Sequence, residues 1–113
     1  MFTQLNHKIM QKLYKFDNNT SYLIAEIGGN HEGSFEKAKE QCELAIESGA
    51  DCIKFQLYSA NGLVNPKESP DRHAHFGKFE LSKEEHITLA QMCIDAGRDY
   101  LASVWELEML EWI

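Results

Sequence analysis

Residues 22–34 read YLIAEIGGNHEGS, an apolar strand pattern that carries one carboxylate, Glu26, and runs straight into a glycine-rich turn. Strand side chains alternate between faces, so Ile24 and Glu26 share one side while Leu23, Ala25 and Ile27 share the other. An ionised carboxylate buried without a partner is costly, and a chain that keeps one in such a strand uses it in a site or pairs it. A candidate partner lies in residues 51–57, DCIKFQL, where Cys52, Lys54 and Gln56 form one set and Ile53, Phe55 and Leu57 the other. Between the two strands runs a helical pattern with Ser34 as N-cap and Glu36 in the first turn. Phe35, Ala38, Cys42, Ala45 and Ile46 lie along one face of it, and Gly49 ends it. Strand, helix and strand in this order make a βαβ unit, which requires parallel strands.

A second helix starts with a capping box, Ser82 with Glu85, carries His86, Leu89, Ala90, Cys93 and Ile94 as its inner stripe, and stops at Gly97. It leads to a third strand, residues 100–104, with Leu101 and Ser103 on one face and Tyr100, Ala102 and Val104 on the other. The pattern predicts an α/β fold with one apolar face against helices. Glu26, Lys54, Gln56 and Ser103 then converge near the carboxyl ends of adjacent parallel strands, where α/β folds place their sites.

The segments AEIGGNHEGS, GADCIKFQ, FELSKEEH and YLASVWE, in this order and spacing, resemble the sialic acid synthase family. The resemblance runs from about Tyr22 to the last residue and is carried mainly by the first two motifs. It implies a TIM barrel and a transferase that condenses phosphoenolpyruvate with an N-acylated amino sugar. By the same resemblance Lys54 and Ser103 match positions that contact phosphoenolpyruvate, and Glu26 matches the strand-one glutamate near the reacting carbons. Gln56, on the same face, is expected to help hold substrate. The resemblance also implies Mn²⁺ or Mg²⁺, held by histidines of the later half of the barrel and so by no ligand in this chain, and a homodimer as the full-length enzyme.

A complete TIM barrel takes about 250 residues and each βα unit roughly 30, so a chain of 113 residues reads as the first three βα units. The expected organisation is an amphipathic N-terminal helix in residues 1–20, with Phe2, Leu5, Ile9, Leu13 and Phe16 at steps of three and four, followed by a partial barrel domain over residues 21–113. Residues 105–113 begin a helical pattern, Leu107, Leu110 and Ile113, that stops without a C-cap signal; the expectation is a chain truncated there and inactive alone. Residues 58–80 hold both prolines and are expected to form a long loop over the site face.

A formal charge of −7, from 18 acidic and 11 basic residues, argues against a nucleic-acid or anionic-membrane partner. No apolar run approaches the roughly 20 residues that span a bilayer, and no signal-peptide core opens the chain, so a cytoplasmic location is expected. Cys42, Cys52 and Cys93 lack metal or redox spacing and read as buried free thiols.

Several readings stay open. Glu26 and Lys54 could be a structural ion pair instead of a site. Asn30 and His31 either cap the turn or touch substrate. His73 and His75 form an H-x-H with no acidic ligand fixed nearby; they fit solvated histidines, or a substrate contact with Arg72, better than a metal site. Glu106 stands where the family often has aspartate, and its role is open. The alternatives to a nonulosonic acid synthase are another phosphoenolpyruvate-condensing barrel, which the NHEG turn weighs against, and a non-catalytic barrel fragment acting in assembly.

Overall fold

The computed structural model describes residues 20–112. The helix expected in residues 1–20 falls almost wholly outside them.

Three parallel strands form a sheet in the order β1 (Ile24–Glu26), β2 (Cys52–Leu57), β3 (Asp99–Val104). The register aligns Ile24 with Cys52 and Glu26 with Lys54, then Lys54 with Leu101 and Gln56 with Ser103. The faces therefore divide as the alternation requires. Helix α1 (Phe35–Glu47) connects β1 to β2, and helix α4 (Lys83–Asp95) precedes β3. Ile53 and Phe55, both fully buried, meet Ala38, Cys42 and Ala45 of α1 and Leu89 and Cys93 of α4, with Leu81 closing the cluster. Each large side chain buried here contributes roughly 1.5–3 kcal/mol.

Local signals set the helix ends. The Ser34 side chain accepts a bond from the Lys37 amide, and Ser82 and Glu85 form the full capping box. Burial places His86, Leu89 and Cys93 inward on α4 as expected, but Ile94 is exposed and Met92 packs on the core in its stead. His86 Nδ1 meets the Tyr100 hydroxyl at 2.9 Å, and the Phe55 and Tyr100 rings stack at 5.8 Å. Cys42, Cys52 and Cys93 are buried free thiols. The Cys42 and Cys93 sulfurs, 3.7 Å apart, mark the contact of α1 with α4.

The long connection departs from expectation. It folds into α2 (Ala60–Leu63) and α3 (Pro70–Phe79). Helix α3 begins Ser69-Pro70-Asp71, with proline in the first turn and an acid beside the positive helix end, and ends with Lys78 in its last turn. None of its residues is buried, so it leaves no apolar stripe to read.

The last segment differs too. A 3-10 helix spans Leu107–Trp112 where an α-helical pattern was expected. Leu107 and Leu110 face solvent, and Met109 is the side chain it buries. No described helix is long and apolar enough to cross a membrane.

Candidate functional site

Strand β1 ends at Glu26, beside the middle of β2, and the chain then enters the glycine turn. The Ile27 amide donates to the Lys54 carbonyl at 2.9 Å, and Gly28 takes φ 55°. This places the Glu26 carboxylate against its neighbour on the sheet. Lys54 Nζ lies 2.7 Å from Glu26 Oε2, with the two side chains 29% and 44% exposed. The pair is therefore half-open, on the face away from the helices, and not the buried pair that the apolar strand suggested.

Gly28 borders the same spot. A Cβ on it would sit 3.5 Å from Glu26 Oε1 and 3.8 Å from the Gln56 amide nitrogen, so carboxylate, ammonium and amide gather around one backbone turn. Ser103, half-buried, stands beside Gln56 in the register with β3. Glu26, Lys54, Gln56 and Ser103 thus share one face near the carboxyl ends of the strands. Such a group offers a cation for phosphate or carboxylate, a carboxylate for proton handling, and neutral donors for orientation.

Asn30 and His31 occupy the turn itself. The Asn30 side chain donates to the Ile27 carbonyl at 2.8 Å while remaining exposed. His31 is 2% exposed, and its Nδ1 accepts the Gly33 amide at 2.9 Å. Burial lowers its pKa, with partial opposition from the Glu85 charge. It is a neutral ring with its proton on Nε2, bracing the turn from within. Gly33, at φ 78°, allows the closest approach found at any described glycine: a Cβ there would lie 1.6 Å from the Lys78 carbonyl oxygen. Only a residue without a side chain lets the end of α3 rest on this turn.

The histidine pair in the connection does not converge. His73 Nε2 meets Asn61 Oδ1 at 2.6 Å, whereas the His75 ring packs 4.7 Å from Phe79. Among the described residues no three His, Cys, Asp or Glu side chains stand together as a metal site would require. Two carboxylates whose place the sequence left undetermined tie down α2. Glu106 Oε1 accepts from the Ser59 amide at 2.7 Å and its hydroxyl at 2.6 Å, and Glu80 accepts from the Ala60 amide. Ser59 before ANGL was a readable N-cap signal; its carboxylate partner Glu106, 47 residues on, was not.

The chain belongs to the NeuB family, whose model matches residues 41–113. It is 31% identical over 106 residues to the N,N'-diacetyllegionaminic acid synthase of Legionella pneumophila, covering 83% of this chain and 30% of that protein. It is 32% identical over 103 residues to the N-acetylneuraminate-9-phosphate synthase of Homo sapiens, covering 81% and 29%. The structure resembles that of the N-acetylneuraminic acid synthetase from Leptospira borgpetersenii, solved with citrate, with a TM-score of 0.77 at 25% identity over 84% of this chain and 33% of that one. The chain thus spans about 30% of the length of the curated relatives it matches.

Proposed function

We propose that this chain forms the first three βα units of a (β/α)8 barrel enzyme, a nonulosonic (sialic) acid synthase that condenses phosphoenolpyruvate with an N-acylated amino sugar and releases phosphate. The observation that carries the reading is the Glu26–Lys54 pair, 2.7 Å apart, with Gln56 beside it at the carboxyl end of parallel strands. Barrel enzymes work at that end. The family supports the same class of chemistry.

In the proposed reaction the methylene carbon of phosphoenolpyruvate bonds to the aldehyde carbon of the open-chain sugar, whose oxygen takes up a proton. Water adds at the enol carbon, loses a proton, and the phosphate oxygen bond to that carbon breaks. Lys54 holds the anionic substrate as a point charge. Glu26, on the same face, orients the water or accepts its proton. Gln56 and Ser103 orient the substrate by neutral hydrogen bonds, and Asn30 stands at the rim where it can add one more. His31, buried and committed to Gly33, supports the turn from behind. The described residues do not fit a divalent metal, so Mn²⁺ or Mg²⁺ in the whole enzyme would take its ligands from elsewhere. A homodimer and a cytoplasmic location complete the reading.

The test is direct. Phosphoenolpyruvate should release phosphate only when an N-acylated amino sugar is present, giving a 2-keto acid lengthened by three carbons. Phosphate release independent of the sugar, or none with phosphorylated and unphosphorylated amino sugars alike, would reject the assignment.

A further inference from the structure

The search for chemistry beyond the sheet face leads to the two carboxylates around α2. Glu106 follows β3 and reaches across to the segment that follows β2. One oxygen of it takes both donors of Ser59, the amide at 2.7 Å and the hydroxyl at 2.6 Å. Charge-assisted bonds of this length are the strong kind. They are joined by the Trp105 amide, which donates to the Leu57 carbonyl at 3.1 Å. The two strand ends are therefore laced together just beyond Gln56 and Ser103.

Gly62 gives an independent sign of the same contact. A Cβ on Gly62 would fall 2.3 Å from Glu106 Oε1 and 2.6 Å from its carboxyl carbon, although Gly62 has no left-handed backbone to explain the glycine. The space beside Gly62 is filled by this carboxylate. From there the links run outward: Asn61, between Ser59 and Gly62, meets His73 of α3 at 2.6 Å. Asn61 and His73 lie on the connection that leaves the carboxyl end of β2 and carry no formal negative charge, so they suit hydroxyl and amide groups of a sugar better than an anion.

We infer that Glu106 is a positioning residue: it fixes the Ser59–Gly62 turn at the mouth of the site and, through the Asn61–His73 bond, sets the rim that receives the amino sugar. This rests on the synthase reading for its substrate, but not for the clamp itself. Gly62 is the complementary half, kept bare so that the carboxylate can enter.

The experiment uses the enzyme that carries this chain, with Glu106→Ala, Glu106→Gln, Gly62→Ala and the Gly62→Ala/Glu106→Ala double variant. Hydrogen exchange at the amides of residues 59–64 reads the clamp, and steady-state kinetics with each substrate varied reads its consequence. Glu106→Ala should speed exchange there by about tenfold or more. It should lower kcat/KM for the amino sugar on the order of tenfold to a hundredfold, as a misplaced positioning group does, with KM for phosphoenolpyruvate unchanged. Glu106→Gln keeps an oxygen that accepts both Ser59 donors and should restore most of the loss. Gly62→Ala should mimic Glu106→Ala, and the double variant should be no worse than either single one, because removing the carboxylate removes the collision. Unchanged exchange in Glu106→Ala, additive losses in the double variant, or equal loss toward both substrates would overturn the inference. If the wild-type enzyme makes no product from any amino sugar, the synthase reading fails while the exchange measurements still decide the clamp.

Discussion

Replacing Lys54 separates a binding role from a structural one, because the geometry assigns the two very different sizes. The Lys54 side chain is 29% exposed and that of its Glu26 partner 44% exposed, so water screens their attraction. Pairs of this kind contribute about 0–1 kcal/mol to folding. In the enzyme that carries this chain 1 kcal/mol moves the midpoint by no more than about 2–4 °C, which sets the upper bound on the change expected in Lys54→Ala. Binding should respond far more. A charge-assisted bond to phosphoenolpyruvate is worth about 1.5–3 kcal/mol, roughly a tenfold to 150-fold loss of affinity. Glu26→Gln, which keeps the shape and removes the charge, should retain that affinity while turnover falls about 10²- to 10⁴-fold. Calorimetric titration with phosphoenolpyruvate, thermal unfolding and steady-state rates on both variants of the enzyme that carries this chain give the three readouts. Equal loss of binding in both variants together with unfolding would mean a structural ion pair. Near-wild-type turnover in Glu26→Gln would remove that residue from the chemistry.

Gly33→Ala should cost at least about 1–2 kcal/mol from its left-handed backbone alone, and more because the Lys78 carbonyl occupies the Cβ position; a midpoint within 2 °C or so of wild type would contradict the close packing of α3 on the turn. Acid should destabilise the fold through His86, whose pKa burial lowers from 6.5 to about 4, with His31 adding to the shift. The unfolded ring binds its proton first, so this stability is complete above about pH 6.5 and is lost as pH falls toward 4, by roughly 3 kcal/mol at most. Urea unfolding at pH 7 and pH 4.5 should show that loss, and a His86→Gln variant with an equally steep pH dependence would refute it. Finally, Cys42, Cys52 and Cys93 should resist a thiol reagent in the native state and all react after denaturation; rapid native labelling would show the α1–α4 interface to be open.

The division of faces was legible because strand alternation is strict: Glu26, Lys54, Gln56 and Ser103 fall on one side whatever the loops do. The caps at Ser34 and Ser82 were legible for the same local reason. Helix α3 was hidden because none of its residues is fully buried, so its Ser69-Pro70-Asp71 start was outweighed by the lack of a strong apolar stripe. The inner face of α4 was read one residue too far, since Ile94 is exposed among the described residues while Met92 packs on the core. Residues 107–112 mislead similarly, as Leu107 and Leu110 stay exposed among the described residues. His31 illustrates a further limit. Its type suits substrate contact, and only its tertiary burial shows that its acceptor is already engaged by Gly33. The Glu106–Ser59 contact joins residues 47 apart and leaves no local trace.

The meeting of Gly33 with the Lys78 carbonyl also bears on how this chain can change in length. Residues 58–80 look like a place where insertions would be absorbed, yet both ends are joints: the start is pinned by Glu80 and Glu106, the finish by the bare glycine of another turn. Between them, Asn65, Pro66, Lys67 and Glu68 are all exposed, and the bonds they make among the described residues are short-range, the Lys67 amide to Asn65 Oδ1 among them. Length variation, epitope tags and spectroscopic labels should therefore be tolerated best at that short stretch, where the backbone can bulge without shifting either joint. A residue added near Lys78 would instead move the β1 turn, and with it the strand end that carries Glu26.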